Sequence, residues 1–427
     1  MKNDGYLRTK RACQFSNVAI APASCLSPLL FMPFHQLYGI SFTLLGTLVL
    51  VNFLTQLSID LIFSFFSKIF NIKAVVRAMP IITSLGFIAY ALSPNIFGDN
   101  VYIGLVIGTV IFSVSAGLCE VLISPIVAAL PNSTDKDMSG LHALYPIGVI
   151  LVVCISSLFL RIFGNDKWQY LAFFWALVPL VSAILFFTSP VPDMKLHDEP
   201  SVTKQKPTSV KRVGLMLCVL CIFLGATAEC TMTNWISTYM ERALGLSKTL
   251  GDILGMTSFA VLLGLGRILY TKFGKNIYLV LIVSMTGASV CYIVCGLVTN
   301  VVVAFVACVM TGICTAMLWP GSLILMEEKV EGCGVAAYAL MAAGGDLGAS
   351  IAPQGVGIII DKVGQTPWAK SLSTSMSITT EQFAIKFGML VTAIFPLLGV
   401  VVLLIMRRFW NKNKKELNSA TNEEVKE

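Results

Sequence analysis

The sequence has 427 residues, of which 56% are hydrophobic and 12% charged, and a formal charge of +7. Soluble domains carry about 25% charged residues, so this balance excludes a water-soluble enzyme and points to an integral membrane protein. The basic excess is dispersed over loops, so the lipid bilayer is an expected partner and nucleic acid is not.

The elements follow from the apolar runs, because about 20 mostly apolar residues are needed to cross ~30 Å of hydrocarbon. The first predicted span lies near 13–33, after the basic segment MKNDGYLRTKR. Its run is too long for a cleaved leader, and no small-x-small site closes it, so it reads as an uncleaved span. Ser24, Ser27 and Pro28 make it the least hydrophobic of the set and suit a cavity-lining helix. Further spans are predicted near 42–66, 74–92, 101–130, 141–163 and 169–188. The polar, Pro-containing stretch 190–212 reads as a linker. A second set follows near 213–238, 249–270, 277–297, 301–326, 333–360 and 383–406, and the polar tail 407–427 is predicted disordered. The expected fold is an all-α integral membrane protein with twelve transmembrane helices. Its two six-helix bundles cover 1–189 and 213–406.

Two phrases occur once in each set. Gly117 to Pro125 reads GLCEVLISP and Gly312 to Pro320 reads GICTAMLWP; Gly39 to Leu44 reads GISFTL and Gly245 to Leu250 reads GLSKTL. Echoes at equivalent points of the hydropathy pattern predict a duplicated, pseudo-symmetric bundle, as in transporters that hold solute between two halves. The copies differ in kind at one position, where Glu120 stands opposite Thr315.

A charged side chain at mid-bilayer costs about 2.5–3.5 kcal/mol, so acids kept inside spans mark cavities, pairs or proton paths. Glu120, near the middle of the fourth span, is the strongest candidate for proton coupling: a carboxyl there can take a proton on one side and release it on the other. Its bland alternative is a protonated group bonded to a neighbouring helix. Glu229 and Asp346 are further proton-coupling candidates. Asp346 sits among Gly344, Gly345 and Gly348, which also suit a plain packing seam. Glu229 shares a helix face with Thr233, close to Asn234 and Trp235. Amide and indole are suited to a sugar, since pyranose rings stack on aromatic faces; Trp235 equally fits an interfacial belt. His142 and Tyr145, spaced i, i+3, share a face of the fifth span; His142 also fits a solvated helix start. Thr315 and Trp319 complete the substrate-binding candidates. Asp60 and Arg267 occupy matching places in the second and eighth spans, as an inner gate or as groups satisfied by helix termini.

The twelve cysteines lie almost entirely in apolar runs, so no disulfide framework is expected; Cys218 and Cys221 form a CxxC that reads as two small apolar side chains. The three histidines are scattered and form no metal set. With the N-terminus inside, 23 of the 30 Lys and Arg fall in inner segments and 6 in outer loops. The positive-inside rule therefore places both termini and the linker in the cytoplasm.

AGLCEVLISPIVAALP, LHALYPIG, TAMLWPGSLILMEE and AAGGDLGASIAP resemble spans 4, 5, 10 and 11 of the fucose permease branch of the major facilitator superfamily. The resemblance covers essentially the whole chain. It implies sugar:proton symport, with Glu120 in proton coupling and His142 and Tyr145 on the sugar. That branch also has an acid in its first span, where this chain has Pro28; Glu229 is the candidate substitute. The leading expectation is a secondary transporter of the cell membrane, acting as a monomer and importing a sugar or similar small polar solute with protons. It would be driven by the proton gradient without a cofactor. The alternative is a proton-coupled exporter of amphipathic or drug-like compounds. No ATP-binding loop and no catalytic constellation is visible, so neither a primary pump nor an enzyme is expected.

Overall fold

The structure is a computed structural model that describes residues 2–66, 69–131, 135–192, 209–330 and 335–424. Among the described residues the chain is helical, without a strand. The first half holds α1 (Lys2–Ala19), α2 (Ala21–Leu29), α3 (Phe31–Tyr38), α4 (Phe42–Phe66), α5 (Ile72–Ala91), α6 (Ser93–Phe97), α7 (Val101–Ala128), α8 (Asp135–Phe163) and α9 (Trp168–Phe187). The second half opens with α10 (Ser209–Thr238), α11 (Lys248–Leu250), α12 (Thr257–Phe273) and α13 (Ile277–Leu297). It continues with α14 (Val301–Thr315), α15 (Leu318–Lys329), α16 (Val335–Val363), α17 (Pro367–Ser375), α18 (Thr380–Thr392) and α19 (Ile394–Glu424). π-helical turns extend α10 over Tyr239–Ala243 and precede α12 over Gly251–Met256.

Ten of the described helices are long and apolar enough to cross a membrane, and eleven if the bent pair Tyr6–Leu29 and Phe31–Tyr38 is one span. The expected span not among these is the eleventh, α16. It has 29 residues, rich in Ala and Gly, with Asp346 and Gln354 on it. Its lower hydropathy is compatible with its place, because it packs along α4 and α10 rather than facing lipid all round. Large apolar side chains such as Leu177, Ile184 and Val283 are more than 60% exposed on the bundle's outer wall, where hydrocarbon replaces water.

Proline explains where the predicted spans depart from straight helices. The first span is not the single run near 13–33. It is α1 to α3, bent by 45° between Leu29 and Phe31, with Pro28 and Pro33 each removing a backbone donor. The tenth is split after Thr315 and the twelfth after Thr392. Pro320 lacks the N–H that would bind the carbonyl of Ala316, and Pro396 the one for Thr392. The tail is helical through Glu424, where composition alone predicts disorder. Most of the linker, 193–208, lies outside the described residues, as do His197 and Cys333.

The echo of GISFTL and GLSKTL is structural. Gly39 (φ 64°) and Gly245 (φ 70°) adopt the left-handed conformation that an L side chain resists. Two residues on, Ser41 Oγ accepts from Leu44 N (3.3 Å) and Ser247 Oγ from Leu250 N (3.4 Å), so each copy starts a helix with the same cap. Lys386, a charge inside the last span, is 2% exposed. Its Nζ donates to Val298 O (2.8 Å) at the carbonyl end of α13 and lies 5.7 Å from the Tyr239 ring centroid.

The loops alternate between two faces. One carries the connection from α9 to α10 and the end of α19; we term it the tail face, and its opposite the far face. The halves meet chiefly along α4 and α16, and also where α2 meets α10 and α8 meets α12.

Candidate functional site

The far face is closed by contacts between the halves. Asp361, near the end of α16, accepts from Phe42 N (3.2 Å) and Thr43 N (2.6 Å) in the first turn of α4. A carboxylate on two free N–H groups of a helix start is favoured by hydrogen bonding and by the helix dipole. Gly357 lets the two backbones touch, for a Cβ there would meet Phe42 O at 2.3 Å. Trp235 is fully buried. Its Nε1 donates to Pro353 O (3.0 Å), and its ring packs edge-on against Phe31 (5.3 Å) and tilted against Phe42 (6.0 Å). A second tie lies on Asp252, which is fully buried. It accepts from Ser157 of α8 (2.8 Å) and from Ser237, and pairs with Lys248 (3.2 Å). Sequence reading passed over Asp252 and Asp361. The available signal was position: each lies within a few residues of a span end on the far face.

Deeper between the halves the polar groups gather from six helices. Glu120, in the second half of α7, is exposed, whereas Cys119, Leu122 and Ile123 beside it are buried. It lies within electrostatic reach of Asp60 on α4, Asp346 on α16 and Tyr145 on α8, so its exposure is to the space between the halves. The carboxyls of Asp60 and Asp346 are also within electrostatic reach of each other across the two halves. Tyr145 lies beside Ser24 of α2. Trp319 is half-buried and stacks close over Gly345, where a Cβ would lie 2.6 Å from the ring, so the indole stands next to Asp346.

Arg267 and Asp60 do not pair. Arg267 Nη2 lies 3.3 Å from Glu229 Oε1, and its Nε donates to Ala316 O (3.1 Å), the carbonyl that Pro320 leaves free. The arginine thus ties α10 and α12 to the break between α14 and α15. At the matching position of the first half, α7 runs unbroken through Glu120.

The remaining candidates are placed as follows. Asn234 is buried and donates to Cys230 O of its own helix (2.7 Å). Thr315 is fully buried, and its hydroxyl donates to Thr311 O (2.9 Å). Trp235 belongs to the far-face seal. The side chain of His142 lies outside the described residues. Cys218 and Cys221 are fully buried, Ser322 Oγ donates to Cys221 Sγ (3.6 Å), and the eleven described cysteines are free thiols. Among the described residues no three His, Cys, Asp or Glu side chains group as metal ligands.

A profile of the Major Facilitator Superfamily matches residues 16–353. The chain belongs to this superfamily. No curated protein matches the sequence. Among solved structures, the chain is similar to a bacterial homolog of the human lysosomal transporter Spinster in an inward-facing, unoccupied conformation (13% identity, 96% of this chain and 98% of that one, TM-score 0.74). It is also similar to the xylose transporter XylE from E. coli in a partially occluded inward-open conformation (14% identity, 95% and 99%, TM-score 0.68). The E. coli fucose:proton symporter FucP superposes with a TM-score of 0.58 at 16% identity, over 95% and 99% of the two chains. At these identities the likeness carries the fold. The family and these transporter folds indicate a multi-pass membrane transporter rather than an enzyme.

Proposed function

We propose that the chain imports a sugar or similar small polar solute together with protons, by rocking its halves about the space in front of Glu120. The observation that carries this reading is the placement of Glu120: an exposed acid within a long span, within electrostatic reach of one carboxyl from each half, Asp60 and Asp346. A ligand or proton shifts such an equilibrium only through differential affinity for the two states. Glu120 loads a proton, and the Asp60–Asp346 contact is made or broken as the halves move. Tyr145, His142 and Trp319 offer hydrogen bonds and an aromatic face to the solute, and Glu229, clamped by Arg267, is a second coupling acid. Two solved neighbours are a xylose-proton symporter and a fucose:proton symporter, which fits a sugar. Within the superfamily, the phrases around Glu120 and Tyr145 favour the fucose permease branch. The tail face is the cytoplasmic one, in the cell membrane, and the chain works as a monomer.

Uptake of a labelled sugar panel into proteoliposomes, with and without an inward proton gradient, tests the reading. One sugar should accumulate above its outside concentration only with the gradient. Glu120→Gln should reduce accumulation to simple equilibration while leaving solute counterflow. A Glu120→Gln protein that still concentrates solute removes Glu120 from coupling. No sugar movement under any gradient moves an exporter of amphipathic compounds to first place.

A further inference from the structure

A cavity of about 430 Å³ lies at the tail face of the second half, where α13 begins, α15 ends and α19 leaves the bundle. It is separate from the space in front of Glu120, and its walls are amphipathic. On one side are Leu279, which is 58% exposed on the lipid-facing wall, and Ile282. On the other are two cations, Arg407 and Lys329, with the amide of Asn276. The Asn276 oxygen is already used as the cap of Leu279 N (3.2 Å), which leaves its NH₂ group as donor.

The level of this cavity follows from the sequence. Arg407 is the first charge after the apolar run of α19, so it stands where hydrocarbon gives way to headgroups. Tyr278 and Trp410, amphipathic aromatics of the interfacial kind, also line it. Their positions are fixed: the Tyr278 hydroxyl donates to Leu403 O, and the Trp410 ring packs on Gly214, where a Cβ would come within 2.5 Å of it. Among the described residues neither Lys329 nor Arg407 takes part in an ion pair. Of the acids at the end of α15, Glu327 accepts from Tyr338 and Glu328 lies towards Tyr270.

Two cations above an apolar, laterally open wall match one chemistry: a phosphate diester carrying acyl chains. A soluble anion would leave the apolar half unused, and a neutral lipid would leave the cations uncompensated. We propose that this pocket binds the headgroup of an anionic phospholipid from the tail-face leaflet. Arg407 and Lys329 hold the phosphate, and one acyl chain lies along Leu279 and Ile282. Basic pockets between spans are known as sites for such headgroups. The proposal is independent of the solute transported.

The test is native mass spectrometry of the delipidated full chain titrated with phosphatidylglycerol, with phosphatidylcholine of the same chains, and with inorganic phosphate. Phosphatidylglycerol should be retained in preference to both others. Arg407→Gln combined with Lys329→Gln should weaken it about 30-fold, at about fivefold per cation. Ile282→Trp, which fills the acyl side and keeps both cations, should weaken it as well. It stands as the deciding variant if the double substitution does not yield a monodisperse protein. Equal retention of the two lipids, unchanged binding in a monodisperse variant, or displacement of the lipid by inorganic phosphate would each overturn the assignment.

Discussion

Arg267 illustrates what a single charge does inside this bundle. It sits on Glu229 and on a carbonyl that proline left without a donor, so one side chain satisfies two groups that would otherwise be costly to bury. Its side chain is 41% exposed and that of Glu229 15%, so the pair is partly screened. Arg267→Gln should therefore destabilise the protein by about 1–2 kcal/mol, less than the 3–5 expected for a fully buried pair. Thermal unfolding in detergent reads this, and adding Glu229→Gln should recover part of the loss. A double variant as unstable as the sum of the singles would mean that the two groups do not interact. The charges themselves were legible in the sequence, because Asp60, Glu120, Glu229, Arg267 and Asp346 interrupt apolar runs. Their partners were not. Matching positions suggested Asp60 with Arg267, whereas helix rotation sends Asp60 to Asp346 and Arg267 to Glu229. For the same reason Thr315 could be seen as the counterpart of Glu120, but not that its hydroxyl turns back onto its own helix.

At the scale of elements, proline and glycine carried much of the readable information. Pro320 marks the break that divides α14 from α15, and the left-handed Gly39 and Gly245 mark equivalent helix starts. The spacing of apolar residues gave the spans to within a few positions except at the proline-bent first one. It gave nothing about the seam between α4 and α16, which depends on the Thr43 N–H meeting the carboxylate of Asp361, 318 residues away. Asp361→Ala should remove the carboxylate that caps Phe42 N and Thr43 N, leaving α4 only its Ser41 cap. A lost cap costs about 1 kcal/mol, so amide exchange in residues 42–45 should speed up about fivefold in hydrogen–deuterium exchange. Unchanged exchange there, with the protein folded, would show that water replaces the carboxylate without penalty.

For the whole molecule, composition settled the class and duplication settled the architecture. The orientation rests on charge asymmetry alone and is open to a direct check. Green fluorescent protein fused after residue 427 should fluoresce, whereas alkaline phosphatase at the same place should be inactive. The opposite pattern would reverse the sidedness and with it the direction assigned to transport. On the proposed rocking of the halves, the closed far face and the exposed Glu120 belong to one conformer of a pair, and sequence cannot select between conformers because both use the same residues.

Trp235 gives that second conformer a signature. The indole is anchored within the second half by Pro353 but surrounded by Phe31 and Phe42 of the first. Parting the far face would strip it of both rings and hydrate it, whereas Trp168 keeps Phe34 and Tyr38 and Trp175 keeps Ser156, all partners within the first half. On the proposed rocking, the seam therefore holds a fluorophore whose emission colour should report which side is open.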